Sequence, residues 1–171
     1  FARSNLLADG GFEAGCADFG LGYPMWTTLK DGRAEMEVAL DRKEFNQGVQ
    51  SLRITNKKGI AEMYSATLPA RRGGQYHCVA WIKGDGETPK EIKIDFYMEG
   101  GNPEVRRTTG GFVGAGNLLA TAQWQKLEFD FTTPRPESGE MEESTMLMRL
   151  RTETAGTFWL DGLSVRLAEA K

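Results

Sequence analysis

Charged and aromatic side chains, not nucleophiles, are what this sequence offers for chemistry. There is one histidine, His77, and there are two cysteines, Cys16 and Cys78. A histidine-rich zinc site and a four-cysteine zinc site both fail on count. Neither a G-x-S-x-G elbow nor a G-x-x-x-x-G-K-[ST] phosphate loop occurs. The stretch GGFVGAG (110–116) lacks G-x-G-x-x-G spacing and opens no evident helix, so it reads as turns. A lone strand histidine is usually a surface or hydrogen-bonded residue, seldom a catalyst without a partner. The two thiols suit either a disulfide in an oxidising compartment or two free groups, Cys78 being apt as a small buried residue; free thiols are the expectation. Carboxylates alone can hydrolyse glycosides if two stand ~5–5.5 or ~6.5–9.5 Å apart. Asp95, Glu99 and Glu62 are available, but nothing in their spacing selects a pair, and no catalysis is expected.

The elements that must carry these groups are strands. AEMEVAL (34–40) alternates, with Ala34, Met36, Val38 and Leu40 on one face. SLRIT (51–55), YHCVAWIK (76–83), EIKIDFYME (91–99), WQKLEFDF (124–131), TMLMRLR (145–151) and TFWLDGLSVRL (157–167) show the same period of two. Such alternation predicts half-buried strands. The last segment carries an expected irregularity at Asp161-Gly162. Lys93, Asp95 and Tyr97 then share the polar face of one strand, and Arg149 and Arg151 that of another. Trp81 and Trp159 also point away from the inferred core. Turn signals (ADGG, KDGR, RRGG, KGDGETPK, EGGNPE, TPRPESGE, TAG) separate the strands. Helix candidates are short, at 41–46 and 117–122, and 135–144 reads as a solvated connection.

Composition sets the outer bounds. At 171 residues, the chain is expected to form a single domain, with a core spanning about 5–167. A chain of this size buries ~70% of its unfolded surface. Lys+Arg 21 against Asp+Glu 24 gives a net charge of −3, so no basic field draws it to nucleic acid. No apolar run approaches the ~20 residues of a membrane-spanning helix. Phe1 in place of Met is read as a processed or excised domain. Glycine supplies 21 residues, well above the usual ~7%. Many strands, regular turns and no long amphipathic helix predict an all-β fold, a sandwich of two antiparallel sheets.

Five segments carry a resemblance. NLLADGGFEAG (5–15), GVQSLRITN (48–56), GGQYHCVAWIKGD (73–85), WQKLEFDFT (124–132) and TFWLDGLSV (157–165) fall in the order of the jelly-roll carbohydrate-binding modules of families 4, 9, 16 and 22. The resemblance spans nearly the whole chain, and its opening G-F-E and closing L-D-G-L-S-V are its most specific pieces. It implies a jelly roll with a concave sheet face, secreted or cell-surface in a bacterial setting. It also implies a glycan-binding, non-catalytic module covalently linked to a glycoside hydrolase or similar catalytic domain. A monomer is expected, with neither nucleic acid nor membrane as partner.

The resemblance also implies a structural calcium. Its carboxylate positions match Glu13 and Asp161, with carbonyls near Gly11 and Gln50 completing the protein ligands. Ca²⁺ takes six to eight oxygens at ~2.3–2.6 Å, often mixing carboxylates and carbonyls. For glycan binding, the aromatic body of Tyr or Trp supplies area and its polar tip a hydrogen bond. Tyr97 is the first choice, because an aromatic on a polar strand face has no core duty. Arg149 and Arg151 lie on the strand where the family places a polar ligand contact, and family-22 modules have an acid near there. Arg33 falls near a family arginine. Trp81, Lys93, Asp95 and Arg107 complete the candidate set. The 56–64 segment, where related modules place a binding aromatic, offers Lys57 and Lys58, with Tyr64 further on. Trp124 and Trp26 read as packing residues.

Two ligand classes follow. Neutral β-glucans or xylans follow from the family and are favoured. Acidic polysaccharides follow from the arginines, which match carboxylates bidentately. A competing reading is a jelly-roll spacer or protein-interaction domain without a sugar site.

Overall fold

The structure is a computed structural model in which residues 5–7, 10–13, 35–65, 67–86, 89–98, 111–136, 138 and 142–168 are described. Ten strands follow one another: β1 (Glu35–Asp41), β2 (Ser51–Lys58), β3 (Ala61–Tyr64), β4 (Leu68–Arg71), β5 (Gln75–Gly84), β6 (Lys90–Met98), β7 (Phe112–Ala120), β8 (Gln125–Thr132), β9 (Glu143–Thr152) and β10 (Gly156–Leu167). They form two five-stranded sheets. The first has the order β1-β2-β10-β5-β8; the second has β3-β9-β6-β7, with β4 also pairing with β9. Every pairing is antiparallel. No helix occurs among the described residues.

Alternation determines which side chains meet between the sheets. Ile54, Cys78, Ala80, Ile82, Phe158 and Leu160 of the first sheet are fully buried, as are Ile92, Ile94, Phe96, Met146 and Met148 of the second. Phe131 lies at the seam, stacked on Phe96 at 4.4 Å and on Tyr76 at 5.3 Å between ring centroids. The Tyr76 hydroxyl accepts from the Arg71 amide at 2.6 Å, so this buried phenol has the polar partner its tip requires. Cys78 is free and buried, and burial pushes its thiol up to about 12. Cys16 lies outside the described residues.

Four local expectations are corrected. Residues 112–116 of GGFVGAG belong to strand β7 rather than to turns, and the helix expected at 117–122 is the end of that strand and the bend after it. Cross-sheet packing explains the glycines: a Cβ on Gly114 would lie 2.3 Å from Phe131 Cβ, and one on Gly116 would lie 2.3 Å from Phe129 Cδ1. The strand gives up side chains there so that the opposite sheet's rings can enter. The 41–46 helix candidate is the end of β1 followed by bends, where Asp41 Oδ1 caps the Lys43 and Glu44 amides. Segment 56–64 is the end of β2, a tight turn and strand β3, not an open loop. The irregularity expected at Asp161-Gly162 is present, as a register shift between Asp161 and Ser164 with Gly162 at φ +55°.

Candidate functional site

The outer face of the second sheet gathers most of the chemistry. Register places Tyr64, Arg149, Asp95 and Ala115 in one row across β3, β9, β6 and β7. Glu62, Arg151, Lys93 and Asn117 form the next row. On the other side of the central row stand Leu147, Tyr97 and Phe112.

Arg149 organises this face. Its Nε donates to Asp95 Oδ1 at 2.9 Å and its Nη2 to Asp95 Oδ2 at 2.7 Å, a bidentate fork. Nη2 also donates to the Tyr97 hydroxyl at 2.5 Å, and Nη1 to Glu62 Oε1 at 3.1 Å. Four of the five N–H groups of a guanidinium are thereby engaged within the protein. The guanidinium carbon also lies 4.9 Å from the centre of the Tyr97 ring. Hydrogen bonding to Asp95 is the main reason that Arg149 is held in its charged form above its ordinary range; burial opposes this in part. Burial, reinforced by the Asp95 charge, raises the Tyr97 hydroxyl above the usual phenol value. The site at neutral pH therefore holds a protonated phenol, which donates to Asp95 Oδ2 at 3.4 Å, beside a fixed cation.

The remaining charges also close on one another. Arg151 bridges Glu62 at 3.5 Å and Glu153 at 2.5 Å. Lys93 Nζ lies 3.5 Å from Asp95 Oδ2 and 5.8 Å from the centre of the Phe112 ring. Lys93, Arg149 and Arg151 are thus matched by Asp95, Glu62 and Glu153, and Glu91 adds a further negative charge beside Asn117. Among the described residues of this face, no excess of positive charge is left for a polyanion.

Tyr97, Arg149, Arg151, Lys93 and Asp95 are therefore brought together as the alternation implied. Trp81 is not among them. It lies on β5 in the first sheet, against the Asp161 bulge, where a Cβ at Gly162 would be 3.0 Å from its Cδ1. Alternation had placed it outward correctly, but outward from the opposite sheet. Trp159 shares that sheet, with its indole N–H donating to Asp41 Oδ2 at 3.0 Å and Lys83 Nζ 5.8 Å from its ring centre. Lys57 also belongs to the first sheet, paired with Glu37. Arg33, Arg107, Glu99 and Trp26 lie outside the described residues. Three residues of the face were missed as binding candidates. Glu62 had been weighed only as a catalytic acid, Tyr64 only as a distant aromatic, and Phe112 was hidden in the glycine-rich stretch.

The chain matches the family model described as a carbohydrate binding domain over residues 4–143. It belongs to that carbohydrate-binding family. The family is a non-catalytic domain type, and the chain is a carbohydrate-binding module. Among solved structures, a family-4 carbohydrate-binding module is similar with 18% identity and a TM-score of 0.62, covering 94% of this chain and 99% of that one. A family-61 module in complex with β-1,4-galactotriose has 13% identity and a TM-score of 0.57, covering 96% and 99%. The family-22 xylan-binding domain of Paenibacillus barcinonensis xylanase 10C has 20% identity and a TM-score of 0.55, covering 81% and 86%. At these identities the likeness shows the jelly-roll β-sandwich fold. No curated protein matches the chain.

A second cluster joins the chain's two ends. Asp161 is fully buried; its Oδ2 accepts from the Asn46 and Gln47 amides at 2.7 Å each, and its Oδ1 from the Gly162 amide at 2.6 Å. Burial raises its carboxyl above the ordinary range, the three amide bonds oppose this, and the nearby Glu13 charge adds to the rise. Among the described residues no Lys or Arg forms a salt bridge with it. Glu13 Oε1 accepts from the Val49 amide at 3.0 Å. The Gln50 side chain donates to the carbonyls of Phe12 at 2.5 Å and Glu13 at 3.3 Å. Gly11 stands in the same turn, where Phe12 takes a positive φ of 60°.

Proposed function

We propose that the outer face of the β3-β9-β6-β7 sheet is the glycan-binding face, and that its ligand is a neutral β-linked polysaccharide of the β-glucan or xylan class. The observation that carries this reading is the internal neutralisation of the arginines. A uronate carboxylate would have to displace Asp95 from a buried bidentate pair with Arg149, exchanging one carboxylate for another at the cost of taking the guanidinium away from a fully buried acid. A neutral chain asks for no such exchange: sugar hydroxyls bond to the Asp95–Arg149–Tyr97–Glu62 network while exposed rings take the apolar sugar faces. The complex of a similar module with the neutral glycan β-1,4-galactotriose supports the choice.

The same reading includes a covalently linked glycoside hydrolase, which the module would hold near its polymer by raising the effective concentration of substrate. A similar structure, a xylanase 10B fragment from Clostridium thermocellum, carries such a module together with a family-10 hydrolase domain. The site of action is extracellular or at the cell surface, where long polysaccharides are met, and the module works there as a monomer.

Calcium belongs to the proposal as well. The cluster at Asp161 and Glu13 fits the ion in donor chemistry: a buried carboxylate with no cationic partner among the described residues, a second carboxylate beside it, and nearby carbonyls form a set of hard oxygen donors. Glu13 and Asp161 would hold it, with carbonyls of the Gly11 turn and near Gln50. Its service would be to neutralise the two acids and tie the N-terminal turn to β10.

Affinity electrophoresis through neutral and acidic soluble polysaccharides tests the ligand class. Retardation by a neutral β-glycan and free passage through polygalacturonate is expected. Retardation by polyuronates alone would overturn the neutral reading, and passage through every gel would favour a structural spacer.

A further inference from the structure

Tyr97, although it is the first aromatic chosen from the sequence, is poorly placed to be the main stacking platform. Arg149 lies against its ring, and its hydroxyl is already engaged with Arg149 and Asp95. Phe112 is in the opposite situation. Its side chain is 58% exposed on the same face, an unusual position for a phenylalanine. A β-bulge puts it there. Phe96 pairs with Gly114, but Tyr97 pairs with Phe112, so Val113 is the extra residue. In unbroken register Val113 would face Tyr97 and Phe112 would point toward the core; the bulge turns Phe112 outward. The ring then meets Tyr97 edge-on, at 6.1 Å and 70°.

The surroundings of Phe112 have the make-up of a single sugar subsite. Next along the same face of β7 is Ala115, small and opposite Asp95, and beyond it Asn117, opposite Lys93. Lys93 has its side chain 43% exposed and reaches toward both Asp95 and the Phe112 ring, leaving ammonium donors facing outward. An apolar wall, a low floor and polar donors converge within a few residues of two strands.

We propose that Phe112 is the principal stacking residue of the module, and that with Ala115, Asn117 and Lys93 it forms a subsite for one neutral pyranose at the β6–β7 margin. The bulge at Val113 is the positioning device. Tyr97 acts from behind, holding Arg149 and bracing the Phe112 edge. This inference rests on the carbohydrate-binding reading of the face.

The test measures retardation of the wild-type module, Phe112→Ala, Phe112→Trp and Lys93→Met in gels containing soluble mixed-linkage β-glucan, xylan or β-1,4-galactan. Melting temperature is followed in parallel. Removing the ring is expected to weaken affinity roughly tenfold or more, with the melting temperature unchanged because the ring is mostly in water. Phe112→Trp should restore retardation, and Lys93→Met should reduce it by a smaller factor. Wild-type retardation that Phe112→Ala leaves intact would overturn the subsite while sparing the face. A wild-type module that no glycan retards would overturn the face and the subsite together.

Discussion

Replacing Arg149 with methionine isolates the physics of the site. The substitution keeps the length and apolar stem of the side chain and removes its charge. It leaves Asp95 with no exposure and Glu62 with 8% side-chain exposure, both without the guanidinium that holds them. Breaking a buried ion pair from one side costs about 3–5 kcal/mol. Arg149 retains 14% side-chain exposure and Lys93 remains 3.5 Å from Asp95, so the lower end applies, about 3 kcal/mol. For a chain of this length, each kcal/mol moves the melting temperature by about 2–4 °C, giving an expected drop of about 6–12 °C. Asp95→Leu alone should cost less, because Arg149 keeps Glu62 and an edge in solvent. The double variant Asp95→Leu/Arg149→Met should return to within about 1 kcal/mol of wild type, since exchanging a buried pair for apolar side chains is often neutral. It should nonetheless lose glycan retardation, because the polar network is gone. Urea denaturation of the four proteins gives the coupling energy directly. A single-variant loss under about 1 kcal/mol, the range of exposed pairs, or simple additivity in the cycle, would refute the claim that this cluster is a buried, self-neutralised unit.

Other outcomes follow from the same structure. Gly114→Ala should destabilise by about 1–3 kcal/mol, the usual cost of overpacking, because its Cβ would lie 2.3 Å from Phe131 Cβ, an atom fixed to the backbone; Gly116→Ala should cost less because Phe129 presents ring atoms that can swing, and urea midpoints compare the two. Adding Ca²⁺ after chelation should raise the melting temperature of the wild type, while Asp161→Asn and Glu13→Gln should abolish that rise; equal melting in calcium and chelator would remove the ion from the account. Cys78 in a Cys16→Ser background should resist thiol reagents at pH 8 and react only on unfolding, since burial holds the thiol near 12 and the thiolate is the reacting form; rapid labelling of the native protein would show that the core opens there.

The legible part of this fold was its alternation. Met146, Met148 and Leu150 against Arg149 and Arg151, or Ile92, Ile94 and Phe96 against Lys93 and Tyr97, could be sorted from sequence because a period of two leaves no other way to bury one face. Sheet membership was not legible. Trp81 and Tyr97 both alternate outward, yet pairing puts β5 and β6 in different sheets, and nothing within either strand records its partner. Strand β7 was lost for a related reason: glycines normally mark turns, and the rings that require Gly114 and Gly116 come from β8 on the facing sheet. Register was equally hidden, so the pairing of Arg149 with Asp95 was invisible, and two arginines on one strand kept an acidic ligand open beside the favoured neutral one.

That pairing shows how such faces work. A cation on a polar strand face has two kinds of partner, a ligand or its own neighbours, and only cross-strand register decides between them. Here Arg149 stands between Asp95 on β6 and Tyr64 on β3, and diagonally reaches Glu62, so its donors are consumed before a ligand arrives. On the proposed reading, its contribution to binding is to fix acceptors and a phenol in place, which lowers the ordering cost when a flexible sugar chain docks. Strand β7 supplies the complementary half with the same economy of residues. Its inward glycines admit the core rings that fix the strand against β8, and the bulge at Val113, just before Gly114, turns Phe112 to the outside. Core packing and the proposed ligand contact thus depend on one nine-residue strand. If that coupling holds, Gly114→Ala should weaken glycan retardation even at temperatures where the variant is fully folded, by shifting the bulge and the ring it presents. Full retardation by a folded but destabilised Gly114→Ala protein would show that the core and the binding edge of β7 are independent.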